Sequence, residues 1–123
     1  PVERRPVQYI YRDGDLYYFM DTSSYDQFPL NQNQLGQSLR YLIEQMEVEV
    51  LFFRDVPIAV DLPIFVELRV TETPPAGKGN TAQGATKPAT LETGLTINVP
   101  FFVNKDDTVK VDTRSGDYME RVR

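Results

Sequence analysis

The sequence has 123 residues, 41% of them apolar, which supports one ordinary domain or two small ones and excludes disorder for most of the length. It contains no cysteine and no histidine, which excludes disulfides, zinc–thiolate sites, thiol nucleophiles and imidazole acid–base chemistry. The net charge of −5 lies in residues 1–63, where Arg4, Arg5, Arg12, Arg40 and Arg54 face ten acidic side chains, whereas residues 64–123 hold eight basic and eight acidic ones.

Pro6 to Tyr11 alternates with the period of a strand, and Asp13-Gly14 follows as a hairpin turn, because glycine accepts positive φ. Leu16 to Met20 is the return strand, and Tyr25 to Leu30 a third, with Pro29 marking an edge. From Asn31 to Gln45 the period changes. Leu35, Leu39, Leu42, Ile43 and Met46 recur at three and four residues, which predicts a short amphipathic helix that Gly36 weakens. Glu47 to Arg54 and Ile58 to Leu62 read as strands around a turn at Asp55-Val-Pro57. In the second half, Phe65 to Val70 alternates and Pro74-Pro75 stops it. A polar run, Lys78 to Gly94, follows with Leu91 as its one large apolar residue. Ala89 to Thr93, Leu95 to Val99, Thr108 to Asp112 and Tyr118 to Val122 read as further strands, the last two joined by a turn at Arg114-Ser-Gly-Asp117.

Short strands, frequent turns and one short helix predict an all-β chain of two consecutive small antiparallel barrels, 1–63 and 64–123. Tyr11-Arg-Asp-Gly-Asp-Leu-Tyr17 echoes Thr113-Arg-Ser-Gly-Asp-Tyr-Met119, a weak hint of a repeat. Alternation puts Tyr9 and Tyr11 on one face of the first hairpin, and Tyr17 and Phe19 together with Tyr18 opposite.

The carboxylate pairs Asp13/Asp15, Glu47/Glu49 and Asp106/Asp107 fit turn and solvent-face roles better than catalysis. Lys78-Gly79-Asn80-Thr81 lacks the full pattern of a nucleotide-binding phosphate loop. No enzyme activity, cofactor or metal is expected. The tyrosine-rich first hairpin could stack bases, but its acidic neighbours favour packing. There is no membrane-length apolar run and no basic-then-apolar leader, and an opening Pro1 in place of Met reads as a fragment or processed product.

Lys87-Pro-Ala-Thr-Leu-Glu-Thr-Gly94, Leu95-Thr-Ile-Asn-Val-Pro100, Phe101-Phe-Val-Asn104 and Val109-Lys-Val-Asp-Thr-Arg-Ser-Gly-Asp-Tyr118 resemble the C-terminal signature of bacterial elongation factor P. Gln8 to Tyr11, Asp13-Gly14-Asp15, Phe19-Met20 and Tyr25-Asp-Gln27 resemble that family's middle domain. The resemblance spans nearly the whole chain. It implies two OB-fold barrels, the middle and C-terminal domains of a three-barrel, tRNA-like factor whose first, KOW-type barrel would precede Pro1. It implies binding to the ribosome (rRNA and ribosomal proteins) beside the P-site tRNA, with relief of stalling at consecutive prolines, as a cytoplasmic monomer away from membranes. The polar loop of the last barrel would approach mRNA near the E site. The implied RNA- and ribosome-binding residues are Lys78, Gly79, Asn80, Thr81, Lys87, Arg114, Tyr118 and Arg121. Two positions depart from the family pattern. Asn80 stands where the loop usually has Asp, which removes a charge and adds two donors. Asp106 stands where glycine is usual and suits the site if φ is positive there. The alternative from the residues alone is a generic OB-fold module binding single-stranded nucleic acid or protein.

Overall fold

Val7 and Tyr9, Tyr17 and Phe19, Leu30, and Val48, Val50 and Phe52 are apolar residues at strand spacing, and each set needs a common inner face. The computed structural model, which describes residues 1–76 and 85–123, gives them one. The chain divides into two compact units, Pro1–Pro63 and Ile64–Arg123. The first unit is a five-stranded antiparallel sheet of β1 (Val2–Asp13), β2 (Leu16–Asp21), β3 (Gln27–Asn31), β4 (Glu47–Phe53) and β5 (Val56–Asp61), in the order β3-β2-β1-β4-β5. The inward residues of β1 to β4 form one core with Leu35 and Leu42.

The predicted helix over Asn31–Gln45 is much shorter in the structure. One α-helical turn, α1 (Gln32–Leu35), runs into a 3₁₀ turn, Gly36–Arg40. Asn31 starts α1 with a capping box: its side chain accepts from Gln34 N–H at 2.9 Å, and the Gln34 side chain accepts from Asn31 N–H at 2.8 Å. Gly36 ends it at φ +53°, a left-handed conformation that carries a steric cost for side-chain-bearing residues. The leucines therefore recur at helical spacing but pack from separate pieces, Leu35 from α1, Leu39 from the 3₁₀ turn and Leu42 from the irregular segment after it. α1 also covers the sheet's open seam, since it lies against both edge strands, β3 and β5. Gln34 Nε2 donates to the Pro57 carbonyl of β5 at 3.1 Å, so the exposed edge is partly satisfied.

Two register breaks curl this sheet. Tyr9 pairs with Phe19 but Tyr11 with Tyr18, which leaves Ile10 as the extra residue of a bulge. Leu51 pairs with Ala59 and Phe52 with Pro57, which leaves Ile58 as another. The first bulge overturns the expectation that Tyr9 and Tyr11 share a face. Tyr9 is buried, while Tyr11 is 41% exposed and stacks on Tyr18, ring centroids 4.7 Å apart and 7° from parallel. Tyr17 and Phe19 do share the inner face. The β4–β5 turn is Arg54-Asp55, both at positive φ, one residue earlier than expected, and β5 begins at Val56 with Pro57 on the sheet edge.

The second unit has the same strand order. β6 (Phe65–Glu72), β7 (Thr86–Leu91), β8 (Thr96–Pro100), β9 (Thr108–Asp112) and β10 (Tyr118–Arg121) form a five-stranded sheet ordered β10-β9-β6-β7-β8. Its bulges fall at equivalent places, at Thr71 in the first strand and Met119 in the fifth. The strand positions also correct the sequence echo: Tyr11–Tyr17 spans the turn between a first and second strand, whereas Thr113–Met119 spans that between a fourth and fifth. The two hairpins are not counterparts. The counterpart of the tight Asp13–Asp15 turn is the polar connection between β6 and β7.

Phe19→Ala, which empties a fully buried site, is expected to destabilise the first unit by about 3–5 kcal/mol, and Asn31→Ala, which removes the cap, by about 1 kcal/mol. Urea unfolding followed by tyrosine fluorescence measures both, because six of the seven tyrosines, Tyr9, Tyr11, Tyr17, Tyr18, Tyr25 and Tyr41, belong to that unit.

Candidate nucleic-acid interface

β6 and β7 are neighbours in the sheet, and their alternation points Val66, Leu68 and Val70 of one and Ala89 and Leu91 of the other into the core of the second unit. The same alternation turns Lys87 inward. Its side chain is buried, and Nζ reaches the end of the sheet to donate to the Pro74 carbonyl. Thr73 Oγ1 donates to the Pro88 carbonyl at 2.8 Å, and Phe101 N–H to the Ala85 carbonyl at 3.1 Å. The described stems of the polar connection are thus tied to each other and to the residue after β8. Lys78, Gly79, Asn80 and Thr81 lie outside the described residues. Lys87, expected among the RNA contacts, sits as a brace at the base of this connection.

Arg121 belongs to the same end of the unit. Its Nη1 donates to the Phe102 carbonyl at 3.4 Å, its guanidinium lies 5.2 Å from the centre of the Phe102 ring, and Asp107 is 3.7 Å away. β8 and β10 are the sheet edges, and this side chain spans from one to the segment leaving the other. Phe102 is 43% exposed, so Arg121 and an aromatic ring present a joint surface beside the stems. Tyr118, at the other end of β10, is half-buried, and that burial raises its hydroxyl pKa against the opposing influence of Arg121.

Arg114 lies in the β9–β10 turn, away from these groups in the strand register. Asp112 accepts from its Nη2 at 2.9 Å, its Nε at 3.2 Å and its backbone N–H at 2.8 Å. Gly116 at φ +80° closes the turn by donating to the Asp112 carbonyl at 2.7 Å. The Arg114 side chain, then its backbone N–H, holds the Asp112 carboxyl below its ordinary pKa. Arg114 is nonetheless two-thirds exposed, so it can meet an anion while it stays fixed.

The structure adds one residue that the sequence reading passed over. Lys105, exposed between β8 and β9, lines a groove on the stem side with Glu72, Thr73, Pro74, Pro88 and Thr90. Its setting in Asn104-Lys105-Asp106-Asp107 was the available signal, and it reads there as a solvated turn. Asp106 in that turn has φ +76°, the left-handed conformation that Asp tolerates better than most side chains. Its N–H donates to the Val70 carbonyl at 2.9 Å, and its carboxylate meets Arg69 at 3.2 Å.

These features define a pair of OB-type β units, each ordered third-second-first-fourth-fifth, the second with a long polar connection between its first two strands. Residues 2–60 match the family model for the elongation factor P (EF-P) OB domain, and residues 66–121 match that for the elongation factor P C-terminal domain. The chain belongs to the elongation factor P family. It is 54% identical over 121 residues to elongation factor P of Carboxydothermus hydrogenoformans, 52% over 121 residues to that of Acetivibrio thermocellus and 51% over 122 residues to that of Natranaerobius thermophilus. These alignments cover 98–99% of this chain but only 65% of each relative, so the chain spans just under two thirds of their length.

The Asp112–Arg114 clamp gives a pH test. A carboxyl with a lowered folded-state pKa adds stability above its unfolded value of about 3.9, and that stability is lost as pH falls through the folded value. Asp112→Asn is expected to melt below the parent chain at pH 7, and the difference is expected to close progressively below about pH 4 in thermal unfolding scans.

Proposed function

We propose that the chain is the ribosome-anchoring part of a translation elongation factor that binds beside the P-site tRNA and promotes peptide-bond formation at consecutive prolines. The observation that carries this reading is the placement of the polar connection. In OB-type barrels, the loop between the first two strands and that between the last two are recurrent nucleic-acid contacts. In the second unit these are the β6–β7 connection, with Lys78, Gly79, Asn80 and Thr81, and the β9–β10 turn, with Arg114. The family matches over both units support the same reading.

The mechanism assigned to the chain is positioning. Lys78 supplies a point charge to phosphate, Arg114 and Arg121 forked donors, and Gly79 allows close approach of the backbone. Asn80 meets a phosphate or base edge without the repulsion of an Asp. Lys87 and Tyr118 act from behind, as a brace and a packed ring. The partners are rRNA and ribosomal proteins, the P-site tRNA, and mRNA near the E site. The gain in rate comes from holding the tRNA in a reactive geometry, and no acid or base on these two units is required.

Excess chain is expected to compete with intact elongation factor P in translation of a consecutive-proline message, lowering full-length product without rescuing stalled synthesis. Rescue by this chain alone would sink the anchoring role. Lys78→Ala with Arg121→Ala is expected to weaken competition about tenfold. Lys78→Ala alone, which leaves the Phe102 contact intact, is expected to lower the salt dependence of ribosome binding by about one unit of slope. Tight binding of a free single-stranded oligonucleotide, unchanged by ribosomes, would favour a generic OB module instead.

A further inference from the structure

The bulge at Ile10 turns Tyr11 out of the core register and stacks it on Tyr18, and so builds an aromatic platform on the outer face of the first unit. Tyr18 pairs in register with Pro29 of β3, and Leu16, on the same outer face two residues before it, is 38% exposed. The strip Tyr11–Tyr18–Pro29, with Leu16 beside it, is an apolar surface that the inner core does not use. Asp13 and Asp15 bound it at the β1–β2 turn, and neither carboxylate is in an ion pair among the described residues. Across residues 8–31 the charges are Arg12 against Asp13, Asp15, Asp21 and Asp26. Arg12 is turned aside: its Nε donates to the Gly14 carbonyl at 2.7 Å, and its guanidinium lies 5.2 Å from the centre of the Tyr17 ring.

Stacked tyrosine faces and unpaired carboxylates attract cations and repel phosphates. A planar guanidinium suits both features better than an ammonium, because it stacks on rings and donates in a fork to carboxylate. We propose that this strip is a docking site for an arginine-bearing polypeptide segment, with guanidinium groups lying on the Tyr11–Tyr18 platform and reaching Asp13 and Asp15. The surface lies wholly in the first unit and goes beyond the RNA-anchoring role of the second. It stands or falls separately from that role.

Fluorescence anisotropy of a fluorescein-labelled peptide of alternating glycine and arginine, titrated with the 123-residue chain, tests the site. The expected result is saturable binding that weakens with salt, severalfold weaker binding of the glycine–lysine counterpart, and about tenfold loss in Tyr11→Ala with Tyr18→Ala. Asp13→Asn with Asp15→Asn, which spares the aromatic pair, is expected to lose binding severalfold, so a folding defect in the first variant leaves the proposal testable. Absence of peptide binding overturns it. So does equal loss in Glu47→Gln with Glu49→Gln, which would mark attraction to any acidic pair. Tighter binding of an oligouridylate than of the arginine peptide, lost in the same tyrosine variant, would assign the platform to RNA and also overturn it.

Discussion

A five-stranded sheet this small buries an inner face only if it curls, and pairing without register breaks resists curling. Each unit meets that constraint with one extra residue in its first strand and one in its fifth: Ile10 and Ile58 in one, Thr71 and Met119 in the other. The inner face then closes over valine, leucine and aromatic side chains, and the outer face inherits what the bulges displace. Ile58 and Met119 are exposed for this reason, and Tyr11 is stacked outside while Tyr9 is buried two residues away. The seams left by the curl are treated differently. The first unit lays a capped turn across its edges, and the second uses one arginine side chain against the carbonyl after β8.

Charge follows the same division. All of the net −5 belongs to the first unit, while the second balances eight bases against eight acids. Several cations of the second unit are held by neighbours in the fold: Lys87 by Pro74, Arg121 by Phe102 and Asp107, and Arg114 by Asp112. Pre-ordered cations lose less freedom when they meet an anion, so each of these side chains would bind one at a lower entropic cost than a free side chain.

Strand existence was legible because inward and outward residues alternate cleanly along β4, β6 and β8. Which side a residue takes after a bulge was not, since a bulge shifts the register by one residue and has no compositional mark at Ile10. Helix extent was misread because leucine spacing survives in a 3₁₀ turn, and only Gly36 at positive φ shows where α1 stops. Lys87 was readable in hindsight. It precedes Ala89 and Leu91 at strand spacing, so alternation alone aims it at the interior, and its long stem lets the charge escape at the end of the sheet. Lys105 gave no such signal, because a turn residue's neighbours in space are set by strands distant in sequence.

The matching positions of the connections in the two units carry an evolutionary consequence. Where the first unit turns in the short Asp13-Gly14-Asp15 link, the second admits a long polar excursion, and the bulges and strand order on either side are the same. Loop length at this joint is therefore a nearly free variable of the architecture. Doubling a loop costs only about 0.6 kcal/mol in closure entropy, so a lineage can lengthen, shorten or rewrite the excursion while the barrel beneath keeps its packing. One strand order can thus carry a tight turn in one unit and a long polar connection in the other, with the change confined to a single joint.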